Sequence, residues 1–182
     1  MFHIPVDDEI YLGLLEERHS QPLFECVDVN REHLRQWLPW VDETTTVDDS
    51  WAFIRSALER FAAGTGITTG VFYGGKLVGV VSYNQLNHTH HEGEIGYWLG
   101  QAYQGRGIMT RACKALLAYG FEELELHRVV IRCDVENQRS RAVAERLGFT
   151  REGILRQSIL RCGRYRDMVL YSKLRREWET QG

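Results

Sequence analysis

The sequence predicts one α/β (α+β) domain spanning residues 1–182. Three observations predict it. β-rich runs and amphipathic helical stripes alternate along the chain, with no repeat, low-complexity tract or linker between them. Gly74-Gly75 divides two β-rich runs, Val71-Phe72-Tyr73 and Lys76 to Tyr83, as a tight hairpin does. Near the middle, the alternating run Glu94-Ile95-Gly96-Tyr97-Trp98-Leu99 leads through Gln104-Gly105-Arg106-Gly107-Ile108-Met109-Thr110 into a helical pattern. At 182 residues and 43% hydrophobic content, the chain has ample apolar material for a single core.

In chain order, Ile10 to Leu15 reads as the opening strand. Ser20 is placed to cap a helix whose buried face uses Leu23, Val27, Asn30 and Leu34. The tract Asp42 to Thr46 reads as a loop. Thr46 and Asp49 then carry capping-box spacing ahead of Trp51, Ile54, Leu58 and Phe61, which recur at helical intervals. After the Gly74-Gly75 hairpin, Asn87 to Gly93 forms a second turn that returns the chain along the Glu94 strand. In the helix after the glycine turn, Cys113, Leu116, Leu117, Gly120, Phe121 and Leu124 make one apolar stripe. That stripe should lie on the sheet and aim the helix N-terminus rigidly at a ligand. Arg128 to Val135 is again β-rich. Asn137 supplies a helix N-cap, Ser140 lies in the first turn, and Gly148 stops the helix. Ile154-Leu155 and Val169-Leu170-Tyr171 complete the sheet.

A strand, a glycine-bearing turn and a helix start make an anion site, because free N–H groups and the positive helix end converge there. The Gly-Lys-Ser/Thr ending of a Walker-type loop is absent. A dinucleotide turn would want a third glycine where Thr110 stands and would open a βαβ unit early in a domain. Such a turn can also simply cap a helix. A net charge of −3 and a pI near 6.2 argue against a general nucleic-acid binder. No basic stretch with an apolar run opens the chain and no long apolar span follows, so a cytoplasmic protein without a membrane segment is expected. Cys26, Cys113, Cys133 and Cys162 are scattered and read as buried reduced thiols. Asn87 to Glu92 holds three histidines, yet adjacent histidines in a turn rarely converge, and no metal is expected.

The order strand, glycine turn, long helix, strand, Asn-x-x-Ser helix and Gly148-Phe149 resembles the GNAT superfamily of acetyl-CoA-dependent N-acetyltransferases. The family's turn pattern, Gln/Arg-x-x-Gly-x-Gly/Ala, falls on Gln104, Gly107 and position 109. Trp37-Leu38-Pro39-Trp40, Glu94 to Leu99, Gly107 to Thr110, Asn137 to Ser140, Gly148-Phe149 and Gly163-Arg164-Tyr165-Arg166-Asp167 look like its RimJ/RimL branch. The resemblance implies a mixed, mostly antiparallel, twisted sheet, splayed at the acetyl-CoA site and flanked by helices. It implies acetyl-CoA as co-substrate, a homodimer, and a protein or peptide N-terminal α-amine of ribosomal-protein type as acceptor. A small amine, an antibiotic or an aminoacyl nucleotide is the alternative acceptor. A non-catalytic acyl-CoA-binding module is the third reading.

The resemblance also assigns roles. The amides of Gly105, Arg106, Gly107, Ile108, Met109 and Thr110 would hold the pyrophosphate, with Gln104 opening the turn and Arg106 or Arg111 adding charge. The pantetheine arm would pair with the backbone at Trp98 and Leu99, and Asn137 and Ser140 match positions beside the arm or the thioester. Met109 departs from the family's small residue, so its side chain must point away from the cofactor. Many members carry a tyrosine acid where Ala144 stands here, which leaves Ser140 as donor to the thiolate, unless it bonds only to backbone. Glu94 shares a strand face with Gly96 and Trp98 and is the expected base, directly or through water, against the plainer reading of a solvated strand-end carboxylate. An α-amine has a pKa of roughly 8, so a modest base suffices. Trp37, Trp40, Tyr97 and Tyr165 are candidate acceptor contacts, the two tryptophans fitting core or dimer-contact roles equally well. Asp167 reads as a turn-stabilising residue.

Overall fold

The structure is a computed structural model and describes residues 2–180. Strands β1 (His3–Pro5), β2 (Ile10–Leu14), β3 (Ile67–Tyr73), β4 (Lys76–Asn87) and β5 (Glu92–Leu99) pair antiparallel in sequence order. β6 (Arg128–Asp134) joins β5 in parallel. β8 (Arg164–Leu174) then lies between β6 and the edge strand β7 (Thr150–Arg161), giving the order β1-β2-β3-β4-β5-β6-β8-β7. The sheet is therefore mixed and mostly antiparallel. Helices α1 (Ser20–Val29), α2 (Arg31–Leu34), α3 (Val47–Ala62), α4 (Ile108–Glu122), α5 (Gln138–Arg146) and α6 (Arg175–Glu179) flank it. No helix among the described residues is long and apolar enough to cross a membrane.

Strand alternation sorts side chains to two faces. Val80 of β4 joins Leu23 of α1 and Ile54 of α3 on one side, while Val81 joins the larger core on the α4 side. The α4 stripe is buried from Cys113 through Phe121 as its period requires; Leu124, past the helix end, is partly exposed. Gly120 in that stripe faces the ring of fully buried Tyr83, whose hydroxyl donates to Leu116 O at 3.1 Å. A Cβ at Gly120 would overlap that hydroxyl, so α4 can sit this close to the sheet only with glycine there. Gly74 and Gly75, at φ +54 and +78, supply the paired left-handed residues of a two-residue hairpin turn.

Several expectations shift. Ser20 sits inside the first turn of α1, its Oγ donating to Glu17 O at 2.6 Å, rather than capping it. The helix expected to continue through Asn30 breaks there, because the Asn30 carboxamide is drawn to Cys26 O and Gln101 N, each at 2.8 Å. Trp51 is exposed: the face α3 buries runs through Ser50, Ile54 and Ala57, one step round from the aromatic spacing. Thr46 and Asp49 do form the capping box, with Thr46 N donating to Asp49 Oδ2 at 2.8 Å. Cys26, Cys113 and Cys133 are buried free thiols, but Cys162 is exposed in the β7–β8 turn. β1 was not anticipated.

Candidate active site

The parallel pairing of β5 with β6 covers only Glu92–Ile95 against Arg128–Ile131. Beyond Ile95 and Ile131 the strands diverge, and Gly96–Leu99 keeps its β4 partner but has none on the β6 side. A cleft of about 1380 Å³ opens at this divergence, between the glycine turn, α5 and the Trp37–Trp40 segment. The open β5 edge leaves backbone N–H and C=O groups facing the cleft, which suits an amide-bearing chain such as pantetheine.

The glycine turn borders the same cleft. Gly105 and Gly107 have φ +73 and +70, and a Cβ on either would meet nothing within 4 Å. Gly107 is the N-cap of α4 and no side chain caps the helix, so its first amides remain available to an anion. The Met109 side chain is buried in the main core, and Ile108 is fully buried beside it. Gln104 spans the cleft mouth: Arg139 of α5 donates to its Oε1, and its Nε2 lies 2.6 Å from His33 Nε2. With the amide oxygen taken by Arg139, the amide N–H must donate to His33, which is therefore neutral with Nε2 unprotonated. Burial, and then the charge of Arg139, hold the His33 pKa below the usual histidine value. Arg111 is turned to Asp7 at 2.5 Å, and Arg106 lies over the Tyr103 ring at 5.8 Å, outside the cleft lining.

Asn137 Oδ1 accepts from Ser140 N at 3.1 Å and caps α5, which leaves its amide nitrogen to face a ligand. Ser140 and Tyr97 hold each other: Tyr97 OH donates to Ser140 O at 2.7 Å, and Ser140 Oγ lies 3.3 Å from Tyr97 OH. Burial drives the Tyr97 pKa well above the ordinary phenol value, so it stays protonated. Ala144 is fully buried in the core. Glu94 does not line the cleft. It borders a separate cavity of about 30 Å³ with Gln85, Asn87 and Arg132, its Oε2 3.4 Å from Arg132 Nη2. Arg132 borders both spaces. The intervening position on that strand face, Gly96, is covered by the Asn84 carboxamide.

Trp37, Trp40 and Phe53 line the same cleft as Ile159 and Arg161 of β7, and Arg161 lies over the Trp37 ring. Trp40 packs on Trp98 with centroids 6.1 Å apart. Tyr165 is 66% exposed and outside the cleft, opposite Leu160 in the outer part of the hairpin. Asp167 Oδ1 accepts from Gln157 N at 2.8 Å and so fixes the left-handed bulge at φ +50 in β7. Asp134, Arg161, Asn84 and His33, which do not stand out as site residues in the sequence, also line the cleft. Only Asp134 carried a signal, as a charge ending a buried β-run. Among the described residues no group of three or more His, Cys, Asp or Glu could hold a metal.

The model of the acetyltransferase (GNAT) domain matches residues 10–150. The chain belongs to the GNAT family. It is an N-acetyltransferase, and the family's co-substrate matches the geometry of the glycine turn and open strand edge. This GNAT chain is 39% identical over 182 residues, 100% of both chains, to YdaF of Bacillus subtilis (strain 168), provisionally named a ribosomal N-acetyltransferase. It is similar to RimL, a ribosomal-protein α-N-acetyltransferase solved in complex with coenzyme A, at TM-score 0.92 and 31% identity, covering 95% of this chain and 98% of that one. It is also similar to a microcin self-immunity acetyltransferase solved with acetyl-CoA and AMP, at TM-score 0.89 and 32% identity, covering 93% and 94%.

Proposed function

We propose that this GNAT enzyme acetylates protein N-terminal α-amines of ribosomal-protein type by direct attack on the thioester of acetyl-CoA. One observation carries the reading. The likeness to RimL extends past the family match at residue 150 into the β7–β8 hairpin, which lends Ile159, Arg161 and Met168 to the cleft. Acetyl-CoA supplies the acyl carbon that a neutral amine attacks, with the thiolate as leaving group. The amides of Gly105 to Thr110 hold the pyrophosphate, and the open β5 edge at Trp98 and Leu99 pairs with the pantetheine. Asn137 Nδ2 orients that arm, and Ser140 Oγ, which donates its one hydrogen to Tyr97 OH in the free enzyme, turns that hydrogen to the departing thiolate. Glu94 receives the amine proton through water past Arg132, since its own cavity adjoins the cleft at that residue. The arginines lining the cleft assist by disfavouring the ammonium form of the amine.

A second reading, an aminoacyl nucleotide as acceptor, is favoured by the aromatic faces of Trp37 and Trp40 and by likeness to the AMP-bound structure. Purified protein with acetyl-CoA and a panel of N-terminal peptides, small amines and aminoacyl nucleotides separates the two. Mass-resolved α-amine acetylation of a peptide is the expected result; products from small molecules alone would overturn it. The RimL-like reading also entails a homodimer, which light scattering tests.

A further inference from the structure

Arg161 is 8% exposed, yet it borders the cleft. Its guanidinium carbon lies 5.2 Å from the Trp37 ring centroid, and its Nη2 lies 2.8 Å from Asp134 Oδ2. Among the described residues its Nε and Nη1 meet no protein acceptor. These donors are not sealed from solvent, since Ser50 Oγ is the one fully buried unpaired side-chain atom among the described residues; they open onto the cleft, where a ligand can replace water as their partner. Asp134 does not require all of Arg161, because its Oδ1 already accepts Glu136 N at 2.8 Å and its Oδ2 lies 3.4 Å from Arg166 Nε.

The other cleft arginines are committed elsewhere. Arg111 holds Asp7, Arg139 holds Gln104 and Arg146 donates to Thr110, all on the glycine-turn side, while Arg132 pairs with Glu94. Five arginines and a single carboxylate, Asp134, line the cleft among the described residues. That carboxylate is already paired, so nothing there is arranged to receive a polycationic amine. The arrangement suits an acceptor with negative charge near its amine.

Resting on the acetyl-transfer reading, we propose that Arg161 is the acceptor-specificity residue of this enzyme. Its guanidinium, laid on Trp37 and tethered by Asp134, takes an oxyanion carried beside the acceptor amine. The oxyanion is the side-chain carboxylate of an acidic peptide N-terminus or the phosphate of an aminoacyl nucleotide. Trp37 and Asp134 fix the guanidinium before the acceptor arrives, so little side-chain freedom is lost on binding. The role is recognition; Arg161 takes no part in the bond changes.

The test compares an acidic peptide, its Asn/Gln counterpart, an aminoacyl nucleotide and a polyamine on wild type, Arg161→Gln and Arg161→Lys. Melting curves verify folding, and calorimetric titration of each acceptor into the coenzyme A complex reads binding without turnover. Wild type should prefer the acidic peptide, and Arg161→Gln should lower its kcat/KM by about thirtyfold, with the amide peptide falling less than about threefold. The KM for acetyl-CoA should stay within about twofold, and Arg161→Lys, keeping charge without the planar stack, should fall between. Equal losses for acidic and amide peptides, an unaltered preference in Arg161→Gln, or a polyamine preferred by wild type would each overturn the proposal. If only the nucleotide reacts or binds, and does so through Arg161, the peptide reading fails while the Arg161 assignment holds. Peptides acetylated without regard to acidity would overturn the Arg161 assignment and leave the peptide reading standing.

Discussion

Gly107→Ala separates the conformational role of the glycine turn from its cofactor role. Gly107 stands at φ +70, and an added Cβ would meet nothing within 4 Å in the free protein. Folding then bears only the left-handed backbone, about 1–2 kcal/mol for a non-glycine residue. Each kcal/mol moves Tm by about 2–4 °C in a domain of this size, so a fall of roughly 2–8 °C is expected. Gly75→Ala is the control: Gly75 has φ +78, equally open space, and a place in the β3–β4 hairpin outside the cleft. Calorimetric melting should therefore show similar losses for both variants. Acetyl-CoA affinity should part them, because the new methyl enters the space through which a phosphate approaches the α4 amides. Losing one charge-assisted bond is worth about 1.5–3 kcal/mol, a roughly ten- to hundredfold rise in Kd for Gly107→Ala and none for Gly75→Ala. Equal acetyl-CoA affinity in the two variants would refute the assignment of the turn. A much larger melting loss at Gly107 than at Gly75 would refute the open-space premise.

Three further outcomes follow from the site. Glu94→Gln should lower turnover by about a hundredfold or more while leaving acetyl-CoA affinity nearly unchanged; unaltered turnover across pH would remove Glu94 from the reaction. Ser140→Ala should reduce kcat by about tenfold with α5 intact, since the cap uses the backbone N–H of Ser140, and a normal single-turnover rate would count against a thiolate donor. His33 has a depressed pKa in the fold, so the unfolded chain binds its proton more readily. Its share of stability is complete above about pH 6.5 and is lost as pH falls through the folded-state value. Tm should drop on acidification from neutral pH, and less steeply in His33→Gln; parallel slopes would show that Gln104 is not held by a neutral imidazole.

Features fixed by neighbouring residues were legible in the sequence. The α4 stripe, the Gly74-Gly75 turn, the Thr46–Asp49 box and the Asn137 cap each depend on a local period or a local hydrogen bond. Long-range placement was not. The insertion of β8 between β6 and β7 reverses the sequence order, and β1 has only three residues, ending in proline. On α3, close packing uses small Ser50 and Ala57, so the aromatic spacing of Trp51 pointed to the wrong face. The position of Glu94 outside the cleft depends on the Asn84 carboxamide filling the space above Gly96. The Arg161–Asp134 pair joins strands distant in sequence, and no periodicity announces it.

The short β5–β6 seam gives the bound state a different mechanical character from the free one. Four residue pairs rivet a five-stranded panel to a three-stranded one, and the gap beyond Ile95 leaves the join unfinished. A pantetheine arm bonded along Gly96–Leu99 would act as a partial ninth strand, contributed by the substrate. Amide exchange at the seam should then slow when coenzyme A is bound. The bonds that stiffen the join must also break each time the product leaves, so a tighter seam would mean a slower release.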